Sequence, residues 1–295
     1  MILSRTDKSD VGRISVLVRL WRSKSTAVSM VFIVILAVVG LLAPVIAPKD
    51  PTAIEIFREV EGEMINPPFP PSAENWFGTD QLGRDIFSRV LYAIRTSLVI
   101  GLLVRGGVMI VGVGLGLMAG YLPGIVAKAT MRLTDVMLAF PALIIAMAVT
   151  AILGPSLSTV IIALVLVSWP DVTRLVYGQT LGIRASDYVV AARSLGANNF
   201  RIIAKHILPN IASPIIVAFS MGIPGAIMYE AGLSFFGFGI QPPMPSLGLI
   251  ISDGRGYMTV APWYTIFPGL TLVAIVLAFN FLGEGLIDVL DPRSK

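Results

Sequence analysis

The chain has 295 residues, 55% of them hydrophobic and 14% charged, and a mean hydropathy of +0.83. Soluble domains carry about a quarter charged residues, so this composition excludes an ordinary water-soluble enzyme and indicates a polytopic membrane protein. The absence of cysteine excludes disulfides, thiolate metal sites and cysteine nucleophiles, the single His206 excludes multi-histidine metal centres, and the net charge of +4 is spread between apolar runs rather than gathered into a nucleic-acid-binding patch.

Residues 1–27 form a basic segment. Within it, 13–22 reads Arg-Ile-Ser-Val-Leu-Val-Arg-Leu-Trp-Arg, which suits a short helix on the membrane surface with Trp21 at the headgroups, or equally a plain cationic stop to insertion. Crossing about 30 Å of hydrocarbon takes roughly 20 apolar residues. Six runs meet that length, near Val28 to Ala47, Thr96 to Gly120, Val136 to Leu153, Thr159 to Val176, Ile211 to Glu230 and Ile266 to Gly283. The first, 28–47, exceeds the roughly 7–15 residues of a signal-peptide core and has prolines at 44 and 48, so it reads as a retained span. The loop 48–95 that follows is acidic, with Asp50, Glu55, Glu59, Glu61, Glu63 and Glu74.

Residues 96–283 hold the other five runs. Gly112, Gly116 and Gly120 recur every four residues on one side of the second, a spacing that lets helices pack backbone to backbone. Arg105 sits near the middle of that span, where a charge is costly and faces protein or a watery cavity. It is a candidate for the substrate path, with structural pairing to a neighbouring helix as the alternative. The third and fourth runs are joined by a tight Gly/Pro turn at 154–158. Pro170 and Asp171 interrupt the fourth, and Asp171 is expected to pair with Arg174 three residues on. Glu230 closes the fifth run beside Tyr229, as a second path candidate or as an ordinary interfacial acid. The stretch 232–262, full of Gly, Pro and Phe, is expected either to tuck back into the protein or to form a surface loop. Residues 284–295 are a short tail.

Between the fourth and fifth runs lies a polar, basic segment, 186–209. Ser186 and Asp187 are expected to cap a short helix that Gly196 ends in the left-handed conformation, and Asn198 to start a second helix. Ala191 and Ala192 carry no bulk, so another surface can approach there. Leu195, Phe200, Ile202 and Ile203 can seat the element or fill a partner's groove, and Leu208-Pro209 is expected to stop it and launch the fifth span. With the amino terminus inside, inner segments hold fifteen cations between Arg5 and Lys295, and outer loops hold five, Lys49, Arg58, Arg84, Arg89 and Arg255. That asymmetry places both termini in the cytoplasm. No phosphate-cradling loop, zinc-protease motif or nucleophile elbow occurs, and the spans lack the acid and histidine chains of proton relays.

Ala191-Ala192, then Gly196, then Leu208-Pro209 resemble the EAA loop of bacterial ABC importer permeases, with Val190 where the family pattern has Glu. From about Trp21 onward, further stretches are similar to the C-type permease of dipeptide, oligopeptide and nickel importers. They are Asn75 to Arg89 (Asn-Trp-Phe-Gly-Thr-Asp-Gln-Leu-Gly-Arg-Asp-Ile-Phe-Ser-Arg), Leu138 to Pro141, Leu233 to Pro243 and Phe281 to Arg293. The resemblance implies an all-α polytopic membrane protein of the type I ABC importer kind, with six transmembrane helices and a cytoplasmic coupling helix. It implies that Ala191, Ala192, Leu195, Gly196, Leu208 and Pro209 couple the pore to ATPases. The partners implied are a B-type permease, two ATP-binding-cassette ATPases, an extracytoplasmic solute-binding protein and the lipid bilayer of the inner membrane. No cofactor is expected on this chain, ATP and Mg residing on the ATPases, and no catalysis. A secondary transporter or channel that works without a motor is the alternative.

Overall fold

The computed structural model describes residues 21, 23–60 and 63–290. The expected surface helix over 13–22, Trp21 apart, and the tail beyond Leu290 lie outside the described residues. Helix α1 spans Lys24–Ile46, and a hairpin of β1 (Arg58–Val60) and β2 (Glu63–Ile65) interrupts the loop after it. The core follows as α2 (Ile86–Tyr121), α3 (Ile125–Leu138), α4 (Ala142–Leu153) and α5 (Leu157–Arg184). Two short helices, α6 (Asp187–Ser194) and α7 (Asn199–Ile202), lead to α8 (Ala212–Phe235), a short α9 (Leu247–Gly254) and α10 (Trp263–Leu290).

Among the described residues, five helical segments are long and apolar enough to cross a bilayer, and α3 with α4 makes a sixth only as a pair bent by 88°. The third expected span, Val136 to Leu153, is therefore not one straight helix. Pro141 has no N–H to continue α3, and it drives the preceding Phe140 out of the helical region. Both helix ends next to it leave backbone carbonyls and N–H groups to be satisfied elsewhere.

The tightest seam joins α2 to α5. A Cβ added at Gly112 would meet Val172 at 2.7 Å, at Gly116 Val176 at 2.7 Å, and at Gly120 Thr180 at 2.6 Å. The glycine stripe thus brings two backbones together, and Thr173 Oγ1 donates to the Gly112 carbonyl across the seam at 3.3 Å. Leucine at position 116 has no room, because the Thr173 carbonyl also lies 2.8 Å from the added Cβ. Gly116→Leu is expected to cost more than the roughly 1–3 kcal/mol of ordinary overpacking, read as a lower thermal midpoint of the detergent-purified protein. An unchanged midpoint would contradict the seam.

Helix α2 starts ten residues before the expected Thr96, and its first turn is built on buried charge. Asp85 caps it, accepting from Ser88 N at 2.7 Å and from Asn75 Nδ2 at 2.9 Å. Asp80, fully buried, accepts from Arg84 Nε at 2.6 Å and from the N–H groups of Leu82 and Arg84, and faces Arg89 Nε at 3.6 Å. Tyr264 Oη donates to Gln81 Oε1 at 2.9 Å, and Phe77 stacks on Phe267 at 4.1 Å. The stretch 75–89 is therefore a plug that fastens the loop to α2 and α10, and Arg84 and Arg89 are interior cations rather than free loop charges.

The segment 232–262 tucks in rather than forming a surface loop. Leu247 and Ile250 of α9 are fully buried, and α9 packs on α8 and α10. Helix α10 continues past the expected end at Gly283 to Leu290.

Candidate functional site: a surface knob and a cavity at mid-span

At one end of the bundle, α6 and α7 form the knob expected from 186–209. Gly196 has φ +82° and closes α6, with Gly196 N bonded to Arg193 O at 3.0 Å and Ala197 N to Ala192 O at 3.1 Å. This pair of bonds satisfies the last carbonyls of the helix and needs a left-handed residue between them. Asn198 caps α7, its Oδ1 accepting from Arg201 N at 2.8 Å, whereas Ser186 makes no side-chain cap. Three fully buried residues, Val189, Ile202 and Ile207, root the knob in the bundle. Tyr121 Oη bonds to Asn199 Oδ1 at 3.1 Å, and the Arg193 guanidinium lies over the Tyr121 ring at 5.3 Å, tying both knob helices to the end of α2. Leu195 and Phe200, in contrast, are 89% and 81% exposed.

The chain does not stop at Leu208-Pro209. A π-helical turn over Ile203–Ile207 and a 3₁₀ turn over Leu208–Ile211 carry it into α8, so Asn199–Phe235 is one helical run. Proline lacks the N–H that an α-helix would use at 209. The widened turn ahead of it is closed by Leu208 N on Ile203 O, and Asn210 Nδ2 donates to the His206 carbonyl at 2.7 Å. Leu208 and Pro209 are thus a change of winding inside the link between knob and span.

Arg105 is buried on α8. Its Nη2 donates to the Ala218 carbonyl at 2.5 Å, and its guanidinium lies flat where Gly222 has no side chain. It lines a cavity of about 340 Å³ together with Ser168, Asp171, Tyr229 and the α3–α4 break at Leu138 and Phe140. The expected Asp171–Arg174 pair is not formed. Arg174 Nη2 instead donates to Asp135 Oδ1 on α3 at 2.7 Å, leaving Asp171 on the cavity. With both partners more than half exposed, the Asp135 pair contributes no more than about 1 kcal/mol.

Glu230 does not share that cavity. It is fully buried, Ser234 Oγ donates to its Oε1 at 2.7 Å, and the same hydroxyl accepts from Ile240 N at 3.3 Å. It lies inside the last turns of α8 and holds the turn that follows through Ser234, rather than standing on an accessible face at the end of the span as expected. The sequence assigns Asp171 to Arg174 and Tyr229 to the end of the fifth run and does not single out Ser168, although Phe140-Pro141 in the middle of an apolar run signals the break that opens the cavity. Among the described residues, no group of three or more His, Asp or Glu is arranged to hold a metal ion.

The model of the binding-protein-dependent transport system inner membrane component family matches residues 112–295, more than half of the chain. The chain belongs to that family. A second model, the N-terminal TM domain of oligopeptide transport permease C, matches residues 15–68 of this permease. The dipeptide transport system permease protein DppC of Alkalihalophilus pseudofirmus is 40% identical over 277 residues, covering 94% of this chain and 88% of that protein. The glutathione transport system permease protein GsiD of Pectobacterium atrosepticum is 46% identical over 225 residues, covering 76% and 75%. Among solved structures, the MetNI methionine ABC transporter in inward-facing conformations aligns with TM-score 0.57 at 18% identity, covering 69% of the permease and 96% of that chain. That likeness shows the fold. The permease is an all-α, multi-pass component of the inner membrane.

Proposed function

We propose that this permease forms half of the translocation pore of an ATP-driven importer for peptides or a related solute. Its partners are a second permease subunit, two cytoplasmic ATPases that carry the ATP and Mg, and an extracytoplasmic solute-binding protein. The termini and the α6–α7 knob lie in the cytoplasm, in keeping with the cation asymmetry. The observation that carries the reading is the knob itself, rooted by Val189, Ile202 and Ile207 while Leu195 and Phe200 stand free. A polar element with two large exposed apolar side chains is built to enter another protein's groove.

In this mechanism Ala191 and Ala192 let the ATPase surface come close, Leu195 fills a pocket on it, and Gly196 sets the turn. Closure of the ATPases moves the knob. Leu208 and Pro209 pass that movement through the rewound turns into α8, while Tyr121 passes it into α2. Nucleotide shifts the pore only because the docked contacts differ between the two states. Arg105 lies on the solute path, and Glu230 acts indirectly by holding the 234–240 turn. The names of the dipeptide and glutathione permeases among the relatives support a peptide-like solute. The test is capture of the tagged permease from membranes, with a photocrosslinker at position 192. ATP-binding-cassette chains are expected both in the eluate and in the crosslink at 192, and a permease that brings down no ATPase would refute the reading.

A further inference from the structure

The cavity at Arg105 is lined from the middle of three long apolar helices. Arg105 in α2, Asp171 in α5 and Gly222 in α8 each lie within two residues of the midpoint of their helix. An ionised side chain at that depth is retained for a function or neutralised by a partner. Arg105 and Asp171 do not neutralise one another by contact, since no ion pair within 4.0 Å joins them, although the Asp171 charge reaches Arg105 across the cavity. Arg105 is 8% exposed, its Nη2 is spent on Ala218 O, and its Nε has no hydrogen-bond partner. A guanidinium held at that depth in the wall of a cavity favours an anionic oxygen there.

Asp171 faces the same space because Arg174 is taken by Asp135. Ser168, Tyr229 and Phe140, the last at the irregular backbone between α3 and α4, line the same cavity. Irregular backbone at membrane depth is tolerated where it is buried in protein or lines a watery cavity. The volume, about 340 Å³, falls within the range of small-molecule sites of about 300–1,000 Å³.

We propose that this cavity binds the main-chain charges of a zwitterionic solute in transit, Arg105 taking the carboxylate and Asp171 the ammonium group. The proposal rests on the importer reading and names the chemistry its pore selects. The two fixed charges replace the water that a zwitterion loses on entering the membrane, and their separation across the cavity sets the length of solute that satisfies both. Arg174 and Asp135 bind each other outside the cavity lining and leave Asp171 to it.

The test uses the purified permease–ATPase complex without its solute-binding protein, titrated calorimetrically with alanyl-alanine, its carboxy-terminal amide and its N-acetyl derivative. For the wild-type complex, capping either end is expected to weaken binding about tenfold to a hundredfold, the range for a lost charge-assisted hydrogen bond. Arg105→Gln is expected to weaken the dipeptide by a similar factor and to leave the amide unchanged. Asp171→Asn is expected to do the same for the N-acetyl compound. If Arg105→Gln fails to assemble, Asp171→Asn, which removes no hydrogen bond seen here, carries the test with the acetylated ligand. Equal binding of all three ligands to the wild type would overturn the proposal, as would no binding of the dipeptide, or variants that still tell free from capped ends. Assembly with the ATPases is established before titration, so a complex that is present and blind to charge counts against this site alone.

Discussion

Replacing Asp80 with leucine is expected to leave little folded permease in the membrane. Asp80 is fully buried and is the acid against which Arg84 and Arg89 are both placed. Removing one partner of a buried ion pair costs about 3–5 kcal/mol, because the remaining charge is stranded away from water. Here two guanidiniums are stranded, and Arg89 Nε and Nη1 already make no hydrogen bond. The N–H groups of Leu82 and Arg84 lose their acceptor as well. The loss is a large fraction of a typical domain's stability of about 5–15 kcal/mol. Size-exclusion profiles of detergent extracts should therefore show aggregated or degraded Asp80→Leu protein beside a monodisperse wild type. A variant with the yield and thermal midpoint of the wild type would mean that the plug does not hold the loop to the helices.

The second large effect concerns coupling. The double substitution Leu195→Asp with Phe200→Asp is expected to leave the permease folded and inserted but deaf to its ATPases. Both side chains are highly exposed and support nothing in the bundle, so aspartate there is free to stay in water. In a docked complex each loses the roughly 1.5–3 kcal/mol gained by burying a large apolar side chain and places a carboxylate in an apolar groove. ATPase subunits should be lost on washing, and solute-stimulated ATP hydrolysis should fall about tenfold or more. A fully coupled double variant would move the docking surface elsewhere. Ile202→Asp makes the contrast, since Ile202 is fully buried and its replacement should unfold the knob rather than undock it.

Much of this architecture is legible in the sequence because hydrocarbon enforces simple rules. Long apolar runs give α1, α2, α5, α8 and α10, and the spacing of Gly112, Gly116 and Gly120 announces the α2–α5 seam. Gly196 and Asn198 carry the knob's turn and cap by residue type, through local hydrogen bonds that need no tertiary information. What escaped the reading depends on partners distant in the chain. The apolar run begins at Thr96 and leaves Arg89 with the outer loop, yet a carboxylate nine residues before Arg89 meets its charge and lets α2 begin at Ile86. Arg174 has an acid within one turn but binds Asp135, which only the fold brings near. Pro141 and Pro209 are both visible in the chain, yet one breaks its helix by 88° while the other passes with a local rewinding. A bond from Asn210 to a carbonyl decides in favour of continuity at the second site.

The backbone contact between α2 and α5 has a mechanical consequence. Where β-branched side chains such as Val172, Val176 and Thr180 sit in glycine notches, few alternative rotamers exist to absorb a slip, and a shift along the seam drives them into the facing backbone. The pair consequently behaves as a single stiff blade, with Arg105 on one helix and Asp171 on the other facing the same cavity. Conformational change then falls to its hinges, the bent α3–α4 corner on one side and the rewound entry to α8 on the other. Alternating access in such a design is a swing of one plate between two soft joints, and the charged gap, walled partly by the α3–α4 corner, is reshaped by each swing.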